Sequence, residues 1–276
     1  VRDSLGAIKG YLGIGNDLTE RKKVDRMKSE FVSTVSHELR TPLTSIRGAL
    51  GLLLGKCSDE LTVKTRNLLE MANRNSERLT LLINDILDLE KIESGTLEFH
   101  FELTDLVTVS QTALEANEGY AQQHNVKLRL QNSLHQAMVW GDSHRLLQVF
   151  ANLISNAVKY SPQEDTVEIN VHCHNNFYRI SVSDHGNGIP DEFRSRIFQR
   201  FAQADSSDTR EKGGTGLGLS ICKAIVEKHN GLIHYESELD KGTVFYFDIP
   251  KWQDARQDNE IMGEDNWDTV KQRLSR

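Results

Sequence analysis

The chain has 276 residues, enough for one large domain or two smaller ones. Its 33 Lys and Arg residues against 40 Asp and Glu residues give a net charge of −7, which argues against nucleic acid as a partner. The longest apolar stretch, Ala49 to Leu54, is far below the roughly 20 residues that span a bilayer. The three cysteines have no paired spacing, which predicts a reducing compartment and neither a disulfide nor a zinc framework. We therefore expect a cytoplasmic fragment, since it begins at Val1, with no membrane contact of its own.

A long amphipathic helix is predicted after a short N-terminal segment. Residues 1–17 are assigned to a strand remnant and linker, and the capping residues from Asn16 to Glu20 offer a helix start. From Val24 to Leu53 apolar residues recur at spacings of three and four, which predicts a helix of roughly 35 residues. The polar run at 55–59 ends it.

A second helix follows and pairs with the first. Its apolar stripe runs from Leu61 to Leu89 in steps of four and three, as in a coiled-coil seam, and Gly95 ends it. Two long helices joined by a short loop form an antiparallel hairpin, which we assign to residues 18–95. Because a lone hairpin leaves its outer apolar faces in water, we expect two copies to pair into a homodimeric four-helix bundle.

The next region, residues 96–251, mixes strands and helices without regular alternation. This mixture predicts an α+β sandwich rather than a doubly wound sheet. The expected strands are 97–103, 126–131, 166–174, 177–183, 232–238 and 243–249, and the expected helices are 105–122, 142–160 and 216–229. Residues 252–276 are polar and are assigned to a tail or linker.

Two glycine clusters in this region have the residue types of a nucleotide site. The run from Gly213 to Ser220 opens onto a helix, where backbone amides and the helix dipole favour phosphate; a flexible loop is the alternative. The run from Asp184 to Pro190 follows a strand. Its carboxylate could accept a hydrogen bond from an adenine amino group, with the ring lying against the glycines; a simple turn is the alternative.

A third motif lies near the end of a predicted helix. Asn152 and Asn156 are four residues apart and so share a face. Their oxygens are hard ligands suited to Mg²⁺ bridging to phosphates, while capping and surface polarity are the plainer explanation. Lys159 could meet phosphate charge and Tyr160 could pack against a nucleoside, unless both are simply solvated surface.

In chain order, these motifs resemble the Asn box and the two glycine boxes of the Bergerat-type ATP-binding fold. Between the glycine boxes, the run from Phe198 to Phe201 resembles that family's Phe box, and the polar run from Ala204 to Lys212 would be a lid over the nucleotide. The same fold also serves gyrase-type topoisomerases, chaperones and mismatch-repair ATPases, so the fold alone does not name the reaction.

The first helix narrows the choice. The run from Ser36 to Leu43, SHELRTPL, resembles the phosphoacceptor box of sensor histidine kinases, and the resemblance covers nearly all of residues 18–250. The upstream run from Tyr11 to Arg21 resembles the closing strand and exit linker of a PAS sensor domain. The resemblance therefore implies the cytoplasmic core of a sensor, either soluble or membrane-anchored elsewhere.

The resemblance implies a kinase that moves the γ-phosphoryl of Mg-ATP to a ring nitrogen of His37, then to an aspartate of a response regulator receiver domain. Phosphatase activity toward the regulator would accompany it. Glu38 would accept the imidazole proton or orient the ring, and Thr41 would orient a water. Asn156, with Asn152, would hold Mg²⁺. The residues expected to contact ATP are Asn152, Asn156, Lys159, Tyr160, Asp184, Gly186, Gly188, Ile189, Phe201, Arg210, Gly214, Thr215, Gly216, Leu217, Gly218 and Leu219.

Helix geometry makes two further predictions near the acceptor. Val35 and Leu39 belong to the apolar stripe, so at about 100° per residue His37 lies about 200° from both, on the solvent face. Pro42 has no backbone N–H to donate to the carbonyl of Glu38, which weakens the helical turn that carries Glu38. The apolar stripe from Phe31 to Leu43 also advances in consecutive steps of four, which disturbs a regular heptad. A hinge beside His37 is therefore predicted.

Two other functions stay open at this point. One is a core whose main output is phosphatase activity, and the other is a dimeric scaffold that binds nucleotide without phosphotransfer. A metal site is a further possibility, because His172 and His174 share one face of a predicted strand, but no third ligand is evident.

Overall fold

The structure is a computed structural model that describes residues 19–56, 61–202 and 215–253. It divides the chain into two units, Val1–Leu97 and Glu98–Arg276. The first unit is helical and the second combines helices with sheets, which confirms the predicted order of a helical region followed by an α+β domain. The predicted strand and linker at 1–17 lie outside the described residues, as does the tail from residue 254.

The first unit is an antiparallel helical hairpin. Helix α1 spans Thr19–Lys56 and continues through Pro42, and helix α2 spans Val63–Glu93. The Arg40 guanidinium donates to the side-chain oxygen of Asn84 over 2.9 Å, which joins the middle of α1 to the middle of α2. Contacts between such distant positions arise when two long helices run back along each other.

The seam between the two helices is displaced from the predicted stripe on α2. Ser76, Ile83 and Leu87 are buried. Leu68 and Leu79, which the apolar spacing assigned to the seam, are 58% and 49% exposed. The face of α2 that packs inside the hairpin therefore differs from most of the predicted stripe, because apolar spacing does not tell which side of a helix packs on its neighbour in the chain.

A similar displacement is found on α1. Ser36 is buried, whereas its neighbour Val35 is 38% exposed and Leu39 is 46% exposed. The expectation that Val35 and Leu39 are buried is therefore wrong for the single chain. The prediction that His37 faces solvent depended on the burial of these two residues, so it loses that support. The side chain of His37 is not among those that the structure describes.

The second unit contains two sheets and four described helices. The strands are β1 Glu102–Asp105, β2 Lys127–Asn132, β3 Met138–Gly141, β4 Thr166–His174, β5 Phe177–Asp184, β6 Leu232–Glu238 and β7 Gly242–Pro250. The helices are α3 Leu106–Gln123, α4 Ser143–Tyr160, α5 Asp191–Arg194 and α6 Gly218–Lys228. Strands β1 and β3 form an antiparallel pair. The five-stranded sheet has the order β2-β4-β5-β7-β6, with β2 and β4 parallel and the other pairs antiparallel.

The predicted strand at 97–103 is mostly not a strand. Pairing begins only at Glu102, and the alternating rings of Phe99 and Phe101 instead pack against His229, with centroid distances of 5.8 and 5.0 Å. The sequence reasoning also missed β3 and α5, since each has only four residues and so shows no clear period.

The helices α3, α4 and α6 cover one face of the large sheet. Phe150 of α4 and Phe247 of β7 are fully buried and meet edge to face, with ring centroids 5.5 Å apart. Each such side chain contributes roughly 1.5–3 kcal/mol by its burial. Asp142 caps α4 by accepting the backbone N–H of Arg145 over 3.1 Å. The core therefore fixes α4, whose remaining face carries the asparagines.

None of the helices in the described ranges is long and apolar enough to cross a membrane.

Candidate nucleotide-binding site

The polar face of α4 lies against the start of α6. The side-chain amide of Asn152 lies 3.5 Å from the carbonyl oxygen of Gly218, to which it donates. A Cβ atom added at Gly218 would lie 3.3 Å from the Asn152 side-chain oxygen. A larger residue at 218 would therefore press on the Asn152 side chain, which gives the glycine a packing reason.

The last turn of α4 presents groups that are available to a ligand. Asn156 is half-buried, and none of the described residues hydrogen-bonds to its side chain. The Lys159 ammonium lies 4.6 Å from the ring centroid of Tyr160, which is itself exposed. An amide with unused hydrogen-bonding capacity beside a lysine suits an anionic ligand or a hard cation.

Asp184 is a buried carboxylate at the end of β5, with 7% of its surface exposed. Its Oδ1 accepts the backbone N–H groups of Gly186, over 2.9 Å, and Thr243, over 3.3 Å. Burial raises the pKa of Asp184, and these two hydrogen bonds oppose the rise. No described residue donates to Oδ2, which leaves that oxygen able to accept from a ligand.

Close approach of backbone explains the glycines after Asp184. A Cβ atom at Gly186 would lie 2.5 Å from the carbonyl oxygen of Tyr160, so this turn packs directly on the end of α4. Gly188 has a φ of +73°, and a Cβ atom there would collide with the carbonyl of Glu238. Both positions therefore require glycine for steric reasons.

The second glycine cluster meets the predicted Phe box. Gly216 has a φ of +72°, and a Cβ atom there would lie 2.9 Å from the carbonyl carbon of Phe201. Phe201 is exposed, with a φ of +57°. The backbone N–H of Leu217 donates to the Thr215 hydroxyl over 3.2 Å, just before α6 begins. The run at 215–218 thus contacts both the Phe box and α4.

Two predicted ligand residues turn their side chains into the core. Leu217 is fully buried, and Ile189 is buried with its backbone N–H donating to the Ser237 hydroxyl over 2.8 Å. Any contact that either makes with a nucleotide would therefore come from the rest of its backbone. Leu219, by contrast, is half-buried at the start of α6.

Other predicted site residues are separate or outside the description. Arg210 and Gly214, with the proposed lid at 204–212, lie outside the described residues. Glu38 and Thr41 are exposed on α1 in the first unit, and the side chain of His37 lies outside the description. The structure thus brings together the Asn box, the Asp184 turn and the described part of the second glycine box, all within the second unit.

The arrangement fits a nucleotide with its metal ion. Three glycines, Gly186, Gly188 and Gly216, let backbone approach closely, and the Asn156 amide has no described partner. The Ser161 hydroxyl, at the end of α4, is buried without a hydrogen-bond partner among the described residues, as a group awaiting a ligand or water would be. Oxygen donors of this kind suit Mg²⁺. His172 and His174 do not add a metal site, because no group of three metal-ligating side chains occurs within the described ranges.

Sequence reasoning missed three residues beside the site. All three belong to one group of hydrogen bonds around the turn at residues 184–189. The Ser237 hydroxyl of β6 accepts the Ile189 N–H, and the backbone N–H of Thr243 in β7 donates to Asp184. The Arg194 guanidinium of α5 donates to the Ser237 carbonyl. No glycine, motif or spacing marks them. They are recognised only when the β6–β7 hairpin is seen to fold back onto the turn.

Two families match separate parts of the chain. Residues 27–95 match the family described as His Kinase A (phospho-acceptor) domain. Residues 141–253 match the family described as Histidine kinase-, DNA gyrase B-, and HSP90-like ATPase. The matches cover the α1–α2 hairpin and the part of the second unit that holds the site. The ATPase match implies ATP binding.

Curated relatives join these two domains in one protein. The chain is 36% identical over 265 residues to the sensor histidine kinase WalK of Bacillus subtilis strain 168, covering 95% of this chain and 42% of WalK. The chain carries the two domains of a sensor histidine kinase. This two-domain core is also 36% identical over 248 residues to the circadian input-output histidine kinase CikA of Thermosynechococcus vestitus, covering 87% of the core and 33% of CikA. It thus spans less than half the length of these relatives.

Two solved structures have a similar architecture. Full-length ShkA in complex with AMPPNP aligns with a TM-score of 0.66 and 28% identity, covering 82% of this chain and 46% of ShkA. The histidine kinase AdeS of Acinetobacter baumannii aligns with a TM-score of 0.56 and 28% identity, covering 79% of this chain and 98% of that chain.

Proposed function

We propose that this core transfers the γ-phosphoryl group of ATP to a ring nitrogen of His37. The bond between the γ-phosphorus and the bridging oxygen breaks to release ADP, and a phosphorus–nitrogen bond forms. A second transfer moves the phosphoryl group to an aspartate of a response regulator receiver domain. The observation that carries the proposal is the meeting of the Asn box, the Asp184 turn and the start of α6 at one site, in a chain whose other unit matches a phospho-acceptor domain.

Asp184 would recognise the base. Its Oδ1 is already bonded to two backbone N–H groups, so Oδ2 is the oxygen that would accept the adenine amino group. The low exposure of Asp184 strengthens this hydrogen bond and makes its loss costly. Guanine presents a carbonyl at the corresponding position, so the same oxygen would repel it.

The start of α6 and the end of α4 would hold the phosphates. The other backbone N–H groups of the run 214–218, aided by the α6 dipole, would face the negative charge, since that of Leu217 already donates to Thr215. Lys159 and Arg210 would supply side-chain cations. Asn156 and Asn152 would hold Mg²⁺, which neutralises part of the triphosphate charge. These groups would supply the local positive field that a polyanionic nucleotide requires, which the chain as a whole does not, since its net charge is −7.

The α1 helix would present the acceptor. A neutral imidazole at His37 can attack phosphorus, and the exposed carboxylate of Glu38 would take up the ring proton that the new bond displaces. Thr41 lies one helical turn further on and would orient a water that hydrolyses the regulator's phosphoaspartate. Both roles follow from the resemblance to the phosphoacceptor box.

We infer that two cores pair through the hairpin. An apolar face remains exposed on α1, at Val35, Leu39 and Ile46, and on α2, at Leu68 and Leu79. Exposed apolar rows of this length are typical of interaction surfaces, and a four-helix bundle would cover both helices at once. The seam of each hairpin is filled in part by Ser36 and Ser76, and these larger side chains lie outside it.

Incubation of the full chain with γ-labelled ATP tests the proposal. The wild type should acquire an acid-labile, alkali-stable label, as a phosphohistidine does, and His37→Gln should acquire none. Asn156→Ala should also lose the label, whereas Asn170→Ala, on the sheet face opposite α4, should keep it. A wild-type chain that binds ATP but takes up no label would instead be a nucleotide-binding scaffold, and a labelled His37→Gln variant would refute the acceptor assignment.

A further inference from the structure

The Ser237 hydroxyl connects the Asp184 turn to the β6–β7 hairpin. It accepts the backbone N–H of Ile189 over 2.8 Å and donates to the carbonyl of Gly242 over 3.1 Å. The Thr243 hydroxyl lies 2.9 Å away and completes its bonding as a second donor. Ser237 is half-buried, and its hydroxyl thus has all three hydrogen-bonding positions in use.

One residue, Thr243, links this hydroxyl to the Asp184 carboxylate. Thr243, which contacts Ser237 through its side chain, donates its backbone N–H to Asp184 Oδ1 over 3.3 Å. At the other end of the turn, Ile189 is held by Ser237 directly. The two ends of the 184–189 turn are therefore tied to the same serine, one directly and one through Thr243.

Arg194 reinforces the same connection from α5. Its guanidinium donates to the Ser237 carbonyl over 3.0 Å and lies 3.4 Å from the Ile189 carbonyl. The Tyr235 hydroxyl in turn donates to the Arg194 carbonyl over 3.1 Å. Further along the hairpin, the backbone N–H of Asp240 donates to the Asn187 carbonyl over 3.0 Å. The β6–β7 hairpin thus holds the turn at Asp184, Asn187 and Ile189.

We propose that Ser237 is a positioning residue that sets the selectivity of the site for adenine over guanine nucleotides. The proposal rests on the proposed role of Asp184 as the base acceptor. This turn packs on the end of α4, and one of the two N–H groups that hold its carboxylate belongs to Thr243, whose hydroxyl contacts Ser237. Removal of the Ser237 hydroxyl leaves the Ile189 N–H, the Gly242 carbonyl and the Thr243 hydroxyl without this partner, so the turn relaxes and Asp184 is held less firmly.

Equilibrium binding of ATP and of GTP to the full chain tests the proposal. Ser237→Ala should raise the Kd for ATP by about five- to tenfold, the size expected for one lost hydrogen bond, with the Kd for GTP within about twofold. Ser237→Thr retains the hydroxyl on a strand position and should keep the wild-type preference. Ser133→Ala, at an exposed site in the loop after β2, serves as the matched control.

A double-mutant cycle with Asp184→Asn separates this proposal from the one on which it rests. Asp184→Asn alone should remove the preference for ATP; if it does not, the role of Asp184 is wrong. In the Asp184→Asn background, Ser237→Ala should change the Kd for ATP by less than about twofold, because the group it aims is gone.

Two outcomes would overturn the role of Ser237. The first is a Ser237→Ala variant that keeps the wild-type preference for ATP. The second is a Ser237→Ala variant that loses ATP and GTP binding equally, in an experiment where Asp184→Asn does abolish the preference. If Ser237→Ala does not fold, Arg194→Gln takes its place, because it loosens the same turn from the α5 side. It should then lower the ATP preference, and a wild-type preference in that variant would also refute the proposal.

Discussion

Replacement of Gly186 by alanine is expected to damage the nucleotide site through one specific collision. The added Cβ atom would lie 2.5 Å from the Tyr160 carbonyl oxygen and 3.0 Å from Asp184 Oδ1. Ordinary contact begins near 3.5 Å, so the carbonyl and the turn must separate by about 1 Å. Neither neighbour is the flexible end of a long side chain. The collision therefore displaces either the end of α4 or the Asp184 carboxylate.

Overpacking of this kind usually destabilises a protein by about 1–3 kcal/mol. If the strain is relieved by moving the turn, the Kd for ATP should rise by about tenfold or more, since tenfold corresponds to about 1.4 kcal/mol. We would measure the midpoint of thermal unfolding of the full chain, with and without ATP, together with the Kd for ATP. Gly186→Ala should show a lower midpoint, a weaker affinity and a smaller stabilisation by ATP.

Gly119→Ala is the matched control for this variant. Gly119 lies inside α3, is exposed, and has no atom within 4 Å of an added Cβ. Alanine there should stabilise the helix by about 0.5–1 kcal/mol and leave ATP binding unchanged. The steric reasoning fails if Gly186→Ala unfolds at the wild-type temperature and binds ATP with the wild-type affinity.

Three further predictions concern other parts of the chain. The free energy of unfolding should fall as the pH drops below 6.5, because burial lowers the pKa of His229, whose ring accepts the Asp142 N–H, whereas the unfolded chain still takes up the proton there. Denaturant titrations should show a smaller dependence of this free energy on pH in His229→Gln, and an equal dependence would contradict the prediction. Leu39→Asp should weaken association of two cores by at least about tenfold in analytical ultracentrifugation, and an unchanged dimer would refute the assigned face. Pro42→Ala should stiffen α1 and change the rate of His37 labelling, because proline inside a helix costs about 3 kcal/mol through its missing N–H and its ring. Unchanged labelling rates would refute the hinge prediction.

The motifs of the site were predictable because each one needs particular residue types. A turn that packs backbone on backbone admits glycine, as at Gly186, and a buried hydrogen-bond acceptor at a strand end requires a residue such as Asp184. Their order along the chain then identified the fold. The five strands of the large sheet were also predicted closely, and β4, for example, alternates half-buried and buried residues along most of its length.

The contacts that depend on folding back were not predictable. Ser237 resembles any serine on a half-exposed strand until the β6–β7 hairpin brings it to Ile189. On the hairpin of the first unit, Ser36 and Ser76 occupy the seam although their residue type favours a surface, and the apolar residues beside them stay exposed. Spacing located the helices correctly but did not tell which face of each packs inside the hairpin.

The most direct test of this account is to locate the phosphoryl group after the full chain has been incubated with ATP and Mg²⁺. Peptide mapping by mass spectrometry under alkaline conditions preserves a phosphohistidine. We predict phosphorylation of His37, absent from Asn156→Ala treated in parallel. Phosphate on a different residue, or on His37 of Asn156→Ala at the wild-type level, would contradict the proposal that the site beside α4 supplies the group to α1.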